Sequence, residues 1–274
     1  MQTTLLPNRS ILVLDGPDTL ALLERLVTNN THDWDIGEAR YGALLTPQGK
    51  VIADFIAHRT EAGALLDTAT NAVGDLSKRL KMFRLRAKVE IDVDGKLAAA
   101  ITEDGAPDPR SPELPKRGVV EIDSAPEMSQ ADWDKIRIPA GVAEWGQDFI
   151  GAEVFPWEIN MDRQGGVDLK KGCFVGQEVV SRMHRRGKLR KRNVIIEGEN
   201  LEAGQSVTAS GSLGEITSAT ATHALARLRT DRLAKAIEDG ETLSVEDQPV
   251  QLVKTDWLED EMAASLSDGT ESFS

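Results

Sequence analysis

Cys173 is the sole cysteine of the chain, and its neighbours are those a reactive thiol needs. The run reads Lys171-Gly172-Cys173-Phe174-Val175-Gly176-Gln177-Glu178, with Lys170 before it and a basic stretch over residues 182–192 after it. A thiol acts as nucleophile or metal ligand in its thiolate form, which nearby cations and helix N-termini favour. Gly176 can open a helix over residues 177–182, placing Cys173 near the positive end of its dipole. The alternative is a small buried hydrophobe, the common state of a structural cysteine. One Cys and four scattered His give no closed zinc spacing. An iron–sulfur cluster takes about four ligands, so Cys173 could supply one only if a partner supplied the others.

The charge around the cysteine is unusual for this chain. Residues 170–192 hold nine Lys or Arg and one Glu, a local +8, whereas the whole protein carries −13. The remainder is therefore at −21. One cationic strip on an acidic body suits the steering of a defined anion to one place, and a solvated loop is the other reading. Three arginines of the strip, Arg182, Arg185 and Arg186, are candidates to hold a carboxylate or phosphate. Single-stranded RNA is a rival partner, but the strip is poor in the aromatic rings on which bases stack.

The elements that must position these residues are legible in the apolar periodicity. Residues 11–14 read as a strand, and Leu20, Leu23, Leu26 and Val27 mark a helix over residues 17–27. Alternation over residues 51–58 predicts a strand, residues 64–67 a partner strand, and Val73, Leu76, Leu80 and Phe83 a second helix. Residues 89–93 alternate, and Asp94-Gly95 predicts a tight hairpin returning over residues 96–101. Residues 104–115 contain four prolines and read as a linker or surface excursion. Beyond Arg192, short alternating pieces punctuated by glycine predict a small all-β unit of about six strands, ending near Trp257. Residues 258–274 carry five acids and no base, which predicts a disordered tail. The class is α+β with antiparallel sheet. No stretch is apolar enough to span a membrane. The single cysteine, with no signal peptide and no Arg-rich leader, predicts a cytoplasmic protein.

The Cys173 segment resembles the K-G-C-[FY]-x-G-Q-E signature of the YgfZ-type folate-binding proteins, relatives of the glycine-cleavage T protein that include mitochondrial iron–sulfur maturation factors. Other segments agree in order. Leu26-Val27-Thr28-Asn29-Asn30 resembles the family's early Q-x-T-N-D-type turn. Residues 41–55 are similar to its Y-G-x-x-L-x-P-Q-G-K-x-x-x-D-F segment, residues 156–160 to its P-x-E-x-N, and residues 182–187 to its R-x-H-x-R-G. The resemblance spans about residues 10–255. It implies a three-domain cloverleaf around a channel: two antiparallel α+β units and a C-terminal β-barrel. The implied boundaries are a folate-binding region over 1–192, with a discontinuous first domain at about 1–45 and 113–192 and a second at about 46–112, then a barrel over 193–257.

The same resemblance implies a tetrahydrofolate, or a one-carbon derivative of it, as ligand. A pterin edge is rich in N–H donors, which an ionised carboxylate can accept in pairs, and its face stacks on aromatic rings. Glu158 is then the carboxylate for the pterin edge. Asp54 matches the T-protein aspartate near the reacting folate nitrogens, although Ala53 replaces the first acid of that pair. Tyr41 and Trp34 are candidates to line the pocket and Asn30 to fix the loop after the first helix, while Arg182 and Arg186 would hold the folate tail. Arg137 matches an R-x-x-x-P-type family position. The implied role is maturation or repair of iron–sulfur proteins, with Cys173 as functional thiol sharing a transient cluster with an A-type carrier protein. A tetrahydrofolate-dependent aminomethyl- or methyltransferase and a transfer-RNA-associated factor are the rival functions.

Overall fold

The computed structural model of the chain describes residues 2–186 and 190–270. The N-terminal part contains β1 (Thr4–Leu5), β2 (Arg9–Asp15), α1 (Thr19–Leu26), β3 (Ala39–Leu45), β4 (Val51–Arg59), β5 (Gly63–Ala69) and α2 (Thr70–Arg84). It continues through β6 (Glu90–Asp94), β7 (Leu97–Ala106), β8 (Arg117–Glu121), α3 (Gln130–Arg137) and α4 (Gln177–Arg186). The C-terminal part comprises β9 (Lys191–Glu197), β10 (Ser206–Thr208), β11 (Ser212–Ala219), β12 (His223–Arg229) and α5 (Thr230–Glu238). It ends with β13 (Ser244–Val245), β14 (Gln248–Pro249), β15 (Gln251–Leu252) and α6 (Asp256–Thr270).

These strands form three sheets, in the orders β3-β4-β5-β2-β6, β1-β7-β8 and β14-β13-β10-β11-β12-β9-β15. The fold is α+β, and the last sheet is a nearly closed seven-stranded barrel. The five-stranded sheet is covered on both faces. Leu22, Leu23 and Leu26 of α1 and Leu76 and Leu80 of α2 pack with Leu12, Leu14 and Phe55 on one face. On the other, Ile11 meets Ala99 and Ile101 of β7, while Tyr41 and Ile56 meet Trp157, Phe174 and Val180. Alternation along β4 therefore separates two interiors, and residues 51–58 are all buried. That double cover is what removes Asp54 from water.

Three expectations are corrected. The Asp94-Gly95 hairpin does not form: β6 pairs with β2, and β7 pairs with β1 and β8. Neither residue takes the left-handed φ that a primed two-residue turn requires, so the turn hands the chain from one sheet to another. The expected domain edge at residues 45/46 falls within a hairpin, because β3 and β4 pair from Ala39↔His58 to Leu45↔Val51. Of the residues 258–274 expected to be disordered, those through Thr270 instead belong to α6, burying Leu258 and Met262 in the barrel core, and 271–274 lie outside the described residues. With Trp257 and Leu266 packed beside them and Glu261 paired to Arg192, these side chains dock an otherwise acidic helix.

The reading of residues 104–115 as a surface excursion also fails, through buried charge. Asp108 and Arg110 are each 5% exposed and form a bidentate pair at 2.7 and 2.9 Å. Arg117 reaches Asp67 at 2.5 Å and Asp108 at 3.7 Å, and Arg9 meets Asp67 at 2.7 Å. Burial alone pushes the Asp67 carboxyl up, but Arg117 and Arg9 outweigh it and hold it well below the usual carboxylate range. An acid easier to ionise when folded adds stability above its unfolded pKa of about 3.9, and loses it as pH falls through the folded value. Asp67→Asn leaves two guanidinium groups buried around one neutral amide. It should cost about 3–5 kcal/mol at neutral pH, and its stability should vary less with pH below about 4 than the parent's. Urea unfolding across pH reads both, and a variant as stable as the parent would show that Asp67 does not hold this interior.

Candidate functional site

The segment leading to Cys173 is clamped from one side by the turn after α1. Thr28 Oγ1 donates to Gly166 O at 2.6 Å, and Asn29 Nδ2 donates to Gly165 O at 2.8 Å. Asn30 Nδ2 donates to Asp168 Oδ2 at 2.6 Å, and Asp168 Oδ1 accepts the N–H groups of Lys170 and Lys171. Partial burial raises the Asp168 carboxyl, but the hydrogen bonds from Asn30 and these amides carry it below its ordinary value. The Lys171 ammonium turns inward and donates to Val27 O at 2.8 Å and Asn29 O at 2.7 Å. Burial lowers its pKa, an effect that Glu24 at 3.7 Å opposes.

The other side is held by the turn between β3 and β4. Gly176 has φ +83°, and a Cβ there would lie 2.6 Å from Thr46 O. Gly49 has φ +81° and leaves only 3.2 Å for a Cβ beside Val179 of α4. Two motifs separated by more than a hundred residues thus meet backbone to backbone, which only glycine allows. Cys173 stands exposed between the clamps, three residues ahead of Gly176. Arg182 is exposed on α4, and the side chains of Arg185 and Arg186 lie outside the described residues.

The structure scatters the remaining candidates. Tyr41 Oη donates to Asp54 Oδ2 at 3.1 Å, and the ring is pressed by Gly166, where a Cβ would sit 2.6 Å from it. Burial pushes the Asp54 carboxyl up, with Arg9 and Arg110 opposing. Burial likewise carries the Tyr41 hydroxyl well above its ordinary value, and the Asp54 charge adds to it. Asp54 Oδ1 is buried without a hydrogen-bond partner among the described residues. Trp34 is buried, donates to Glu38 O, and carries the Arg40 guanidinium 5.7 Å from its ring centroid. Arg40 donates in turn to Asn30 Oδ1 at 2.5 Å, so Trp34 and Asn30 stand behind the Cys173 loop.

Glu158 lies elsewhere, in the 3-10 turn Pro156–Ile159. Its Oε2 accepts Phe155 N–H at 2.7 Å and lies 4.0 Å from Lys50 Nζ. It lines a cleft of about 460 Å³ between this turn and the barrel, together with Lys50, Lys191, Arg227, Arg229 and Arg232. Asp54 and Tyr41 do not line that cleft. The basic strip is not one solvated surface. Besides Lys171, Arg192 is fully buried and pairs with Asp162 at 2.6 Å and Glu261 at 2.9 Å. Arg137 is also internal, 2.6 Å from both Asp134 and Asp148. Sequence reasoning missed Arg110 and Arg227; only long-range packing brings them to Asp54 and to the cleft. Among the described residues no group of three or more His, Cys, Asp or Glu could hold a metal, and no helix is long and apolar enough to cross a membrane.

Known proteins share this arrangement in parts. Residues 10–99 match the GCVT N-terminal domain family and residues 190–260 the CAF17 C-terminal beta-barrel domain family. The chain is 34% identical over 221 residues to the "Iron-sulfur cluster assembly factor IBA57 homolog, mitochondrial" of Mycosarcoma maydis, covering 69% of this chain and 55% of that protein. The like-named protein of Neurospora crassa is 29% identical over 227 residues, covering 69% and 52%. The chain thus spans about half the length of the curated relatives it matches. The crystal structure of glycine cleavage system aminomethyltransferase T from Bartonella henselae superposes with a TM-score of 0.71 at 16% identity, over 94% of this chain and 86% of that one. These names overturn the expectation of a cytoplasmic protein, since the relatives are named mitochondrial. The composition of the first residues is too local a feature to decide a compartment.

Gly176→Ala tests the clamp. The strained φ and the approach to Thr46 O should together cost about 1–3 kcal/mol. Denaturant unfolding should show the loss, and hydrogen exchange should rise first over residues 165–180. Unchanged stability would mean that the loop is not held by this contact.

Proposed function

We propose that this chain, which belongs to the glycine-cleavage T-protein-like family, assists maturation or repair of iron–sulfur proteins, in keeping with the names of its relatives, and binds a tetrahydrofolate. The observation that carries the reading is the exposed Cys173 on a loop fixed from both sides. A thiol held out on a rigid support can enter a partner's coordination sphere without ordering a floppy segment, a cost that weakens binding. The cluster is cargo. Cys173 supplies one ligand and an A-type carrier protein the others, because about four are required.

Folate binding rests on the Glu158 cleft, whose volume and charge fit the ligand. Lys50, Lys191, Arg227 and Arg232 suit the carboxylates of the glutamate tail, Arg229 being paired with Asp231, and Glu158 suits the N–H donors of the pterin edge. Folate there would supply a bound one-carbon carrier. The chain's own residues would bind and orient it: Lys50 stays near Glu158 while its Nζ donates to Glu153 O at 2.7 Å. Aminomethyl transfer is not favoured, because Ala53 stands where the T protein has an acid and Asp54 lies outside the cleft. The transfer-RNA reading loses ground with Lys171 and Arg192, two cations of the strip that are internal.

Two measurements separate the claims. Cys173→Ser should abolish cluster sharing with an A-type carrier, followed by visible absorption and iron analysis under anaerobic conditions, and leave folate affinity unchanged. A variant that shares clusters as the parent does removes the thiol from the function. Glu158→Ala should cost roughly 1.5–3 kcal/mol of tetrahydrofolate affinity by calorimetry, the range for hydrogen bonds to a charged group. Equal affinity in the folded variant would take folate out of this cleft.

A further inference from the structure

A second basic run lies away from Cys173. Residues 78–88 hold six Lys or Arg and no acid, on a chain whose net charge is −13. None of the six is buried, unlike Lys171 and Arg192. Among the described residues one of them is in an ion pair, Lys81 with Asp92 at 3.0 Å. The run forms the end of α2 and the turn after it. With Ala21 and Arg25 of α1 it borders a groove of about 660 Å³, lined on the α2 side by residues 84–87. Leu85 stands there at 81% exposure, the barest large apolar side chain among the described residues. Its backbone takes φ 49° and ψ −109°, a conformation that is costly for leucine. Met82, one turn earlier, is 59% exposed. Neither joins the core, which α2 reaches through Ala72, Leu76 and Leu80.

We propose that this groove docks an acidic segment of a partner protein, with an apolar side chain of that segment packed on Leu85. Helix C-termini attract cations, which accounts for Arg25, Lys81 and Arg84 in the last turns of α1 and α2. It does not account for Arg86 and Lys88, which lie beyond α2, or for a leucine held bare in a strained backbone. Strain of that kind collects at sites that meet ligands, and an exposed apolar side chain rimmed by charge is the pattern of an interaction surface. The charge selects the occupant, because a cationic rim on an acidic body steers and orients an acidic partner. The shape decides against a lipid surface: a flat bilayer leaves a groove between two helices unfilled, whereas a chain segment fills it. The lining decides against single-stranded nucleic acid, whose bases stack on aromatic rings; the groove has none, and Asp18 adds a carboxylate. The groove shares no residue with the Glu158 cleft, so the segment itself leaves that cleft free.

Fluorescence anisotropy on the full chain tests this with three short labelled peptides. The first is Glu with Leu at every third or fourth position; Ala replaces each Leu in the second, and Lys replaces each Glu in the third. The Glu–Leu peptide should bind, with an affinity that falls as salt rises. The Glu–Ala peptide should bind at least about tenfold weaker, the worth of one buried leucine, and the Lys–Leu peptide should not bind. Arg86→Glu with Lys88→Glu should weaken the Glu–Leu peptide at least about tenfold, and Arg86→Lys with Lys88→Arg should keep it. Leu85→Gly should weaken it as much while leaving the thermal midpoint equal or raised, because glycine adopts this backbone freely. A structural role for Leu85 would do the reverse, lowering the midpoint and sparing the binding, and would overturn the proposal. So would a Glu–Leu peptide that fails to bind at millimolar concentration, or that binds the Arg86→Glu, Lys88→Glu variant as it binds the parent. Sedimentation with phosphatidylglycerol vesicles, binding of a single-stranded oligonucleotide and the oligomeric state of the chain cover the other occupants. Any of the three interactions, if it is lost in the same variant and the peptide does not bind, replaces the protein segment with a membrane, a nucleic acid or a second copy.

Discussion

Asp148 ties the barrel to the rest of the molecule through one buried carboxylate. Its Oδ2 accepts from Arg137 at 2.6 Å and from the Glu144 N–H at 2.9 Å. Its Oδ1 accepts the hydroxyls of Thr217 and Ser218 on β11 at 2.6 and 2.5 Å. Its backbone carbonyl accepts from Arg227 of β12. Helix α3, the loop after it and two barrel strands therefore converge on a single residue. The Glu158 cleft lies at the same junction, and Arg227 belongs to both. The placement of the barrel against the N-terminal sheets, and with it the width of the cleft, depends on this buried carboxylate keeping its partners on both sides.

Buried ion pairs are poor evidence of stability, because desolvation offsets much of their attraction. What they do here is restrict alternatives. Arg9 joins Asp67 to Glu144, Arg137 joins Glu144 to Asp148, and Arg117 joins Asp67 to Asp108. The contacts of Arg9 and Arg117 join segments distant in sequence, while those of Arg137 fold the following loop back on α3. A slipped strand or a shifted barrel would strand a guanidinium without a carboxylate, which costs far more than a lost apolar contact. The polar interior thus sets which packing is reached, while the apolar clusters on either side of the five-stranded sheet supply the driving force.

What was legible in the sequence follows from range. The strands at residues 11–14 and 51–58 and the helices marked by Leu20 and Leu76 rest on local periodicity, and they form. The Cys173 signature and the Pro47-Gln48-Gly49-Lys50 turn were visible as separate motifs. Their contact through Gly49 and Gly176 was not, because it depends on the whole sheet. The failures are of the same kind. Asp94-Gly95 favours a hairpin locally, yet β2 competes for β6 and wins. Asp108 and Arg110 look like surface charges until Arg117 and the Tyr41 ring close over them. Lys171 and Arg192 count as part of a cationic strip by sequence, and both point inward.

The two families of contact have different consequences for a protein that meets partners. Around Cys173 the contacts are hydrogen bonds with the Val27–Asn30 turn and a close backbone approach to the Thr46–Lys50 turn, and they fix the support while leaving the thiol bare. Around Asp148 an ion pair to Arg137 and hydrogen bonds from the Thr217 and Ser218 hydroxyls fix one body against another. A ligand in the Glu158 cleft would touch the second set and not the first, since no loop residue between Gly165 and Gly176 lines that cleft. The link between them runs through the sheet: Lys50 begins the turn's return into β4 and also borders the cleft, with its ammonium 3.8 Å from the Phe155 ring centroid. A ligand that drew Lys50 toward its own carboxylates would pull on the Gly49–Val179 contact that seats α4. The cleft and the cysteine are thus separate in chemistry but share one turn.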